Sequence, residues 1–168
     1  MMQSSLFILG VDPGTRITGY GIIELLPTGM KTVDFGCIRP PSHLSLPERY
    51  HILFESLETL LDAHPFGAVA VESQFVFKNP QSAIKLGMAK GMALLAAARK
   101  KIPVHEYAPK QAKQAVVGTG QASKHQVQRI IQTLLHLPEL PEPEDAADAL
   151  ALAICCAHHL RSSLCMSQ

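Results

Sequence analysis

Four carboxylates stand at places where packing alone gives little reason for an acid. Asp12 closes the apolar run Leu6 to Val11, inside Gly10-Val11-Asp12-Pro13-Gly14-Thr15, and Glu72 closes a second run, Ala68-Val69-Ala70-Val71. An Asx-turn or a helix cap accounts for one such ending. Two are more telling, because ligands of open α/β sheets gather beyond the strand ends. Asp145 and Asp148 follow in Glu144-Asp145-Ala146-Ala147-Asp148-Ala149-Leu150, where the i, i+3 spacing puts both on one helix face. The helix dipole explains Glu144 and Asp145 in a first turn. It explains Asp148 less well, since that residue opens the apolar stretch Ala149 to Ala157 and should be partly enclosed. Enclosed, crowded carboxylates repel one another unless a cation resolves the conflict. Oxygen donors without His or Cys select Mg²⁺ or Mn²⁺ over zinc. Two such ions ~3.5–4 Å apart can activate water and stabilise the leaving oxygen in phosphodiester cleavage. Spacing alone leaves structural roles open for each acid.

The charge distribution narrows the substrate. The 168 residues carry 15 Lys+Arg and 14 Asp+Glu, a net charge of only +1 that argues against a protein coating nucleic acid. The average hides a division. Residues 78 to 129 hold ten basic residues and one acid, Glu106, a charge of +9; five basic and thirteen acidic residues remain elsewhere, a charge of −8. Such a segment suits phosphate binding, since each neutralised phosphate releases counterions. Arg99, Lys100 and Lys101 read equally well as solvated helix charges. Lys113 and Lys124 do so less well, because they flank the loop Val117-Gly118-Thr119-Gly120, whose backbone could approach a phosphate. After Glu72 comes Ser73-Gln74-Phe75-Val76-Phe77-Lys78-Asn79, with two of the nine aromatic residues. Aromatic side chains stack on unpaired bases at ~1–3 kcal/mol per base, although Phe77 is expected to tuck into the core.

The elements that must position these groups follow from periodicity. Strands are predicted over Leu6 to Val11, Tyr20 to Leu26 and Lys31 to Ile38, with Pro13-Gly14 and Gly19 marking a turn between the first two. Leu46 to Leu61 is a helix with Tyr50, Leu53, Phe54, Leu57, Leu60 and Leu61 on one stripe. Gly67 to Val71 is a fourth strand. Asn79-Pro80 opens a long helix to about Lys100, and Ile102 to Tyr107 is a fifth strand. A short helix covers Pro109 to Val116, Ser123 caps another that reaches Leu135, and a last helix spans Glu144 to about Leu160. A mixed five-stranded sheet with helices on both faces, a three-layer α/β/α domain, is the architecture implied. Length indicates one domain over residues 1–168, with a core from about 6 to 160.

Two further expectations come from composition. The helix from Pro80 to Lys100 is apolar around its whole axis, with Gly87 and Gly91 one turn apart, which predicts a homodimer interface. Cys37, Cys155, Cys156 and Cys165 form no C-x-x-C pair, so a reduced, cytoplasmic protein is expected, with the Cys155, Cys156, His158, His159 cluster held by packing rather than metal.

In order, these segments resemble the RuvC-type crossover junction (Holliday junction) endonucleases. The likeness is carried by Ile8-Leu9-Gly10-Val11-Asp12-Pro13-Gly14-Thr15-Arg16 with Thr18-Gly19-Tyr20-Gly21, by Val71-Glu72 with Phe75 and Lys78-Asn79, and by Ser82-Ala83-Ile84-Lys85-Leu86-Gly87. It continues in Lys113-Gln114-Ala115-Val116-Val117-Gly118 with Lys124, and in Asp145-Ala146-Ala147-Asp148-Ala149-Leu150-Ala151. The resemblance implies an RNase H-like fold and a homodimer that nicks two like strands of a four-way DNA junction with Mg²⁺, for which Mn²⁺ can substitute. It implies Asp12, Glu72, Asp145 and Asp148 as catalytic acids and metal ligands, with Asp12 contacting both ions. It assigns Phe75 to base stacking and Lys113 and Lys124 to the scissile phosphate, and it leaves Lys78, Lys85 and Lys110 as further DNA contacts. The branch-migration proteins RuvA and RuvB are the implied partners. Against this stand two other readings: a junction-binding module without catalysis, and a nuclease of the same fold acting on structured RNA.

Overall fold

The computed structural model describes residues 6–73 and 79–165, with side chains to residue 163. Ten elements follow one another: β1 (Leu6–Asp12), β2 (Thr18–Leu26), β3 (Gly29–Ile38), α1 (Leu46–Asp62), β4 (Phe66–Glu72), α2 (Pro80–Arg99), β5 (Val104–Tyr107), α3 (Pro109–Val117), α4 (Lys124–Leu134) and α5 (Glu144–Cys165). The sheet runs β3-β2-β1-β4-β5. The first three strands form an antiparallel meander, and β4 and β5 add in parallel beside β1. Parallel neighbours need crossover connections, which α1 and α2 supply.

Strand alternation sorts residues between two cores. Leu9, Val11, Ile22, Val69 and Val71 join Tyr50, Leu53 and Leu57 of α1 and Ala89, Ala93, Ala96 and Ala97 of α2 on one face. Ile8, Ile23, Ala68 and Ala70 face the other way, into α3, α4 and α5. The predicted stripe of α1 is therefore real, although Phe54 and Leu60 end only partly buried at its edge. Helix starts carry their expected signals. Asn79 Oδ1 accepts from the backbone N–H of Gln81 at 3.0 Å, with Pro80 behind it. Ser123 and Gln126 exchange reciprocal bonds at the start of α4.

The most enclosed helix is α5, in which every residue from Ala149 to Ala157 is buried. The long α2 buries an alanine face and leaves Ile84 63%, Met88 48% and Leu95 50% exposed, with open space over Gly87 and Gly91. Several limits differ from those read off the chain. Gly19 pairs with Asp12 inside β2 instead of lying in the turn, β5 starts at Val104, and α5 continues to Cys165. That last extension is fixed by Arg161, which donates to the carbonyls of Leu26 and Gly29 at 2.6 and 2.7 Å and ties the helix to the β2–β3 hairpin. No helix among the described residues is long and apolar enough to cross a membrane.

Candidate active site

Asp12 and Glu72 reach the same face of the sheet by simple alternation. Ile8, Gly10 and Asp12 point one way along β1, and Ala68, Ala70 and Glu72 do so along β4, beside it in parallel with Val11 opposite Val71. The residues before the two acids on that face are small, and this lets α5 come very near. A methyl group at Gly10 would stand 1.9 Å from the carbonyl oxygen of Ala149, and one at Gly19 would stand 1.9 Å from that of Asp145. Only glycine fits under the first turns of α5. The helix start is thereby laid directly over the end of β1, and its one-turn spacing delivers both Asp145 and Asp148 to Asp12.

The result is a pocket of about 300 Å³ lined by Asp12, Glu72, Asp145 and Asp148, with Lys113 of α3 and Lys124 of α4 at its wall. Six of the residues singled out from the sequence are thus brought together. Lys124 donates to Glu144 Oε2 at 3.0 Å and to Asp148 Oδ2 at 3.4 Å. It is the cation that faces Asp12; Arg16, the nearest basic residue in sequence, is exposed on the following turn. That turn is held by Arg49 of α1, which donates to the carbonyl of Thr15.

The electrostatics are those of an acid cluster short of positive charge. Burial, reinforced by Glu72, Asp148 and Asp145 in that order, pushes the Asp12 carboxyl up to about 8 from its usual 3.8. Burial and Asp148 raise Glu72, against a partial counter-pull from Lys124 and Lys113. Burial also raises Asp148, while Lys124 opposes the shift. Lys124 itself is raised, chiefly by its hydrogen bond to Glu144. Carboxylates forced together in this way are an all-oxygen donor set wanting a hard divalent cation. Among the described residues, no three such groups converge into a closed metal cage. They line an open wall, as suits ions that complete their shells with water and phosphate oxygens.

The other candidates lie elsewhere. Lys85 is exposed on α2, and Lys110 is exposed on α3 with its stem against Gly120; neither lines the pocket. Phe75, Lys78 and Phe77 lie outside the described residues. Gly118 adopts a left-handed conformation with φ of 80° and ends α3, so the first of that loop's two glycines is accounted for by helix capping. Besides Lys124, three cations of the basic segment are engaged in ion pairs, Lys90 with Glu106, Arg99 with Glu58 and Lys100 with Asp62. Cys155 and Cys156 are buried, and His159 Nδ1 lies 2.9 Å from the Tyr107 hydroxyl. From sequence, the helix dipole alone accounts for Glu144. Its contact with Lys124, twenty residues away, has no local signature.

A sheet of this order, with acids at adjacent strand ends and on the helix packed over them, defines a nuclease of the RNase H-like class. Residues 8–156 match the family described as crossover junction endodeoxyribonuclease RuvC. A protein of that description from Protochlamydia amoebophila is 57% identical over 154 residues, covering 92% of each chain. Two solved structures from Thermus thermophilus are similar throughout. The RuvC structure has 31% identity and a TM-score of 0.86 over 94% of this chain and 97% of that one. RuvC in complex with Holliday junction substrate has 30% identity and a TM-score of 0.84 over 94% and 96%. The chain belongs to the RuvC family of crossover junction endodeoxyribonucleases, enzymes that hydrolyse DNA in the resolution of Holliday junctions.

Proposed function

We propose that this chain is a single nuclease domain that works as a homodimer in the cytoplasm, resolving four-way DNA junctions by paired, symmetric, Mg²⁺-dependent nicks. The observation that carries this reading is the meeting of four carboxylates and two lysines in one open pocket at the strand ends. Asp12, Glu72, Asp145 and Asp148 would hold the divalent cations. Those ions, when bound, supply Lewis-acid charge and lower the pKa of water for hydrolysis of a phosphodiester. Mg²⁺ is the first choice for an oxygen-only set that keeps places for water, with Mn²⁺ as a substitute.

The chain's own groups do the rest. Lys113 and Lys124 stand at the pocket wall, where they offset the charge that develops on the phosphoryl oxygens. Lys85 and Lys110, both exposed, are further contacts to the DNA backbone, a role that Lys78 shares, and Phe75 stacks on a base near the crossover. The exposed residues Ile84, Met88 and Leu95, with the open glycines between them, support pairing of two chains through α2. A two-fold dimer presents two identical sites to two like strands, which is what symmetric nicking requires. RuvA and RuvB are the partners that family membership suggests.

A gel with three substrates tests this. Purified protein is given a synthetic mobile four-way junction, a linear duplex and a structured RNA, each with Mg²⁺ and with EDTA. Symmetric nicks in the junction alone, and only with Mg²⁺, are expected. Preferential cleavage of RNA, or junction binding without nicking, would overturn the reading.

A further inference from the structure

The first residue of α4 reaches across the pocket mouth to α5. Lys124 Nζ lies 3.0 Å from Glu144 Oε2 and 3.4 Å from Asp148 Oδ2, so one ammonium group bridges an acid of the cluster to an acid outside it. Glu144 does not line the pocket and is more than half exposed. Exposed pairs of this kind contribute little to stability, on the order of 0–1 kcal/mol, so their importance lies in where they hold the charge. Both ends of the bridge are set by backbone. The Ser123 cap fixes where α4 begins, and the bare backbone at Gly10 and Gly19 fixes where α5 begins.

We propose that Glu144 is a positioning residue that holds Lys124 on Asp148 as a built-in counter-cation of the acid cluster, from which divalent metal displaces it. The inference rests on the metal-dependent nuclease reading above. Its chemistry is competition. An ammonium and a divalent cation want the same Asp148 oxygen, and two positive charges within a few ångströms repel. Glu144 holds the ammonium in the metal-free state, where Lys124 contacts both acids at once. Once displaced from Asp148, Lys124 remains at the first position of α4 by the pocket mouth, within reach of the phosphate whose charge it offsets. Nothing in the helix dipole requires this, since the dipole acts on Glu144 whether or not Lys124 is present.

A double-mutant cycle on the full chain, without DNA, reads the competition directly. Binding of Mn²⁺ is followed by the EPR signal of the free ion for wild type, Lys124→Met, Glu144→Gln and the double variant, with thermal unfolding in EDTA to verify that each is folded. Lys124→Met is expected to tighten Mn²⁺ binding by about threefold or more, while Lys124→Arg, which keeps the charge, stays near wild type. Glu144→Gln in the Lys124→Met background removes only a negative charge and weakens binding. With Lys124 present the same substitution also loosens the competitor, so the loss is smaller by about threefold or more, or becomes a gain. Lys124→Gln replaces Lys124→Met in the cycle if the latter does not fold. Equal effects of Glu144→Gln in the two backgrounds, or no tightening on removal of Lys124, would overturn this inference alone if the wild type still binds Mn²⁺ and nicks junctions. No saturable Mn²⁺ binding by the wild type would overturn it together with the metal-dependent reading.

Discussion

Replacing Asp12 by Asn should abolish nicking, leave junction binding largely intact and, in the absence of metal, make the protein more stable. The last effect follows from the crowding at the strand ends. In the folded chain the Asp12 carboxyl titrates near 8, against 3.8 for the same group free of its neighbours. At pH 7 it is mostly protonated when folded and ionised when unfolded, so unfolding releases a proton. A gap of about three pH units, at ~1.36 kcal/mol each, sets an upper bound of about 4 kcal/mol on this destabilisation. Water at the open side of the pocket screens the cluster, and ~1–3 kcal/mol is the expected size. The sign is that of a raised acid: the wild type loses stability as pH rises from about 4 through about 8, then levels off. Asn has no such titration. In EDTA at pH 8 the variant should therefore melt roughly 3–10 °C above wild type, and the difference should close as the pH approaches 4. Millimolar Mg²⁺ should reverse the order by stabilising only the carboxylate. Unfolding followed by circular dichroism across pH 4 to 9 measures this. A variant no more stable than wild type at pH 8, or a difference that ignores pH, would refute the account of the cluster.

Other substitutions probe the parts that assemble the site. Gly19→Ala puts a methyl group into the carbonyl of Asp145; it should cost about 1–3 kcal/mol in urea unfolding and slow nicking on the order of a hundredfold, since a shift of about 1 Å in the acids suffices for that. Lys113→Met should lower the single-turnover nicking rate by about a hundredfold while weakening junction binding only slightly, as a filter-binding assay run beside it would record. Ile84→Asp, on the exposed face of α2, should convert a dimer to a monomer in sedimentation at micromolar concentration, keep the circular dichroism spectrum of the folded chain, and lower the melting temperature by the stabilisation that the partner supplied. Junction affinity of the wild type should fall steeply and log-linearly with salt; a flat response in a salt titration would contradict a phosphate-binding surface.

The ten elements could be read from the chain because their signals are local. Asn79-Pro80 and Ser123 start helices by satisfying free N–H groups, and the alternation in Ala68-Val69-Ala70-Val71-Glu72 sets which face the acid takes. The acids themselves were visible as residues out of keeping with their surroundings. Gly19 shows where such reading fails. In sequence a glycine after Pro13-Gly14 looks like a turn, yet its purpose is to make room for the backbone of a helix more than a hundred residues later. The same holds for the partner of Asp12. The neighbouring basic residue Arg16 points to solvent, while Lys124 arrives from α4. Long-range encounters of this sort depend on the angle at which α5 crosses the sheet, and no periodicity encodes an angle.

The contact between α5 and the bare backbone of β1 and β2 behaves like a mechanical stop. With no side chain between Gly10 and the carbonyl of Ala149, or between Gly19 and that of Asp145, the jaws that carry the acids are already closed as far as atoms allow. Faults elsewhere in the core can push them apart but cannot bring them closer, so assembly errors at this site have one sign. A damaged site gapes. Substitutions that restore it should accordingly be sought on the outer side of α5, where Ala112, Val116, Val127 and Ile131 press on it from α3 and α4, and not among larger residues on the sheet.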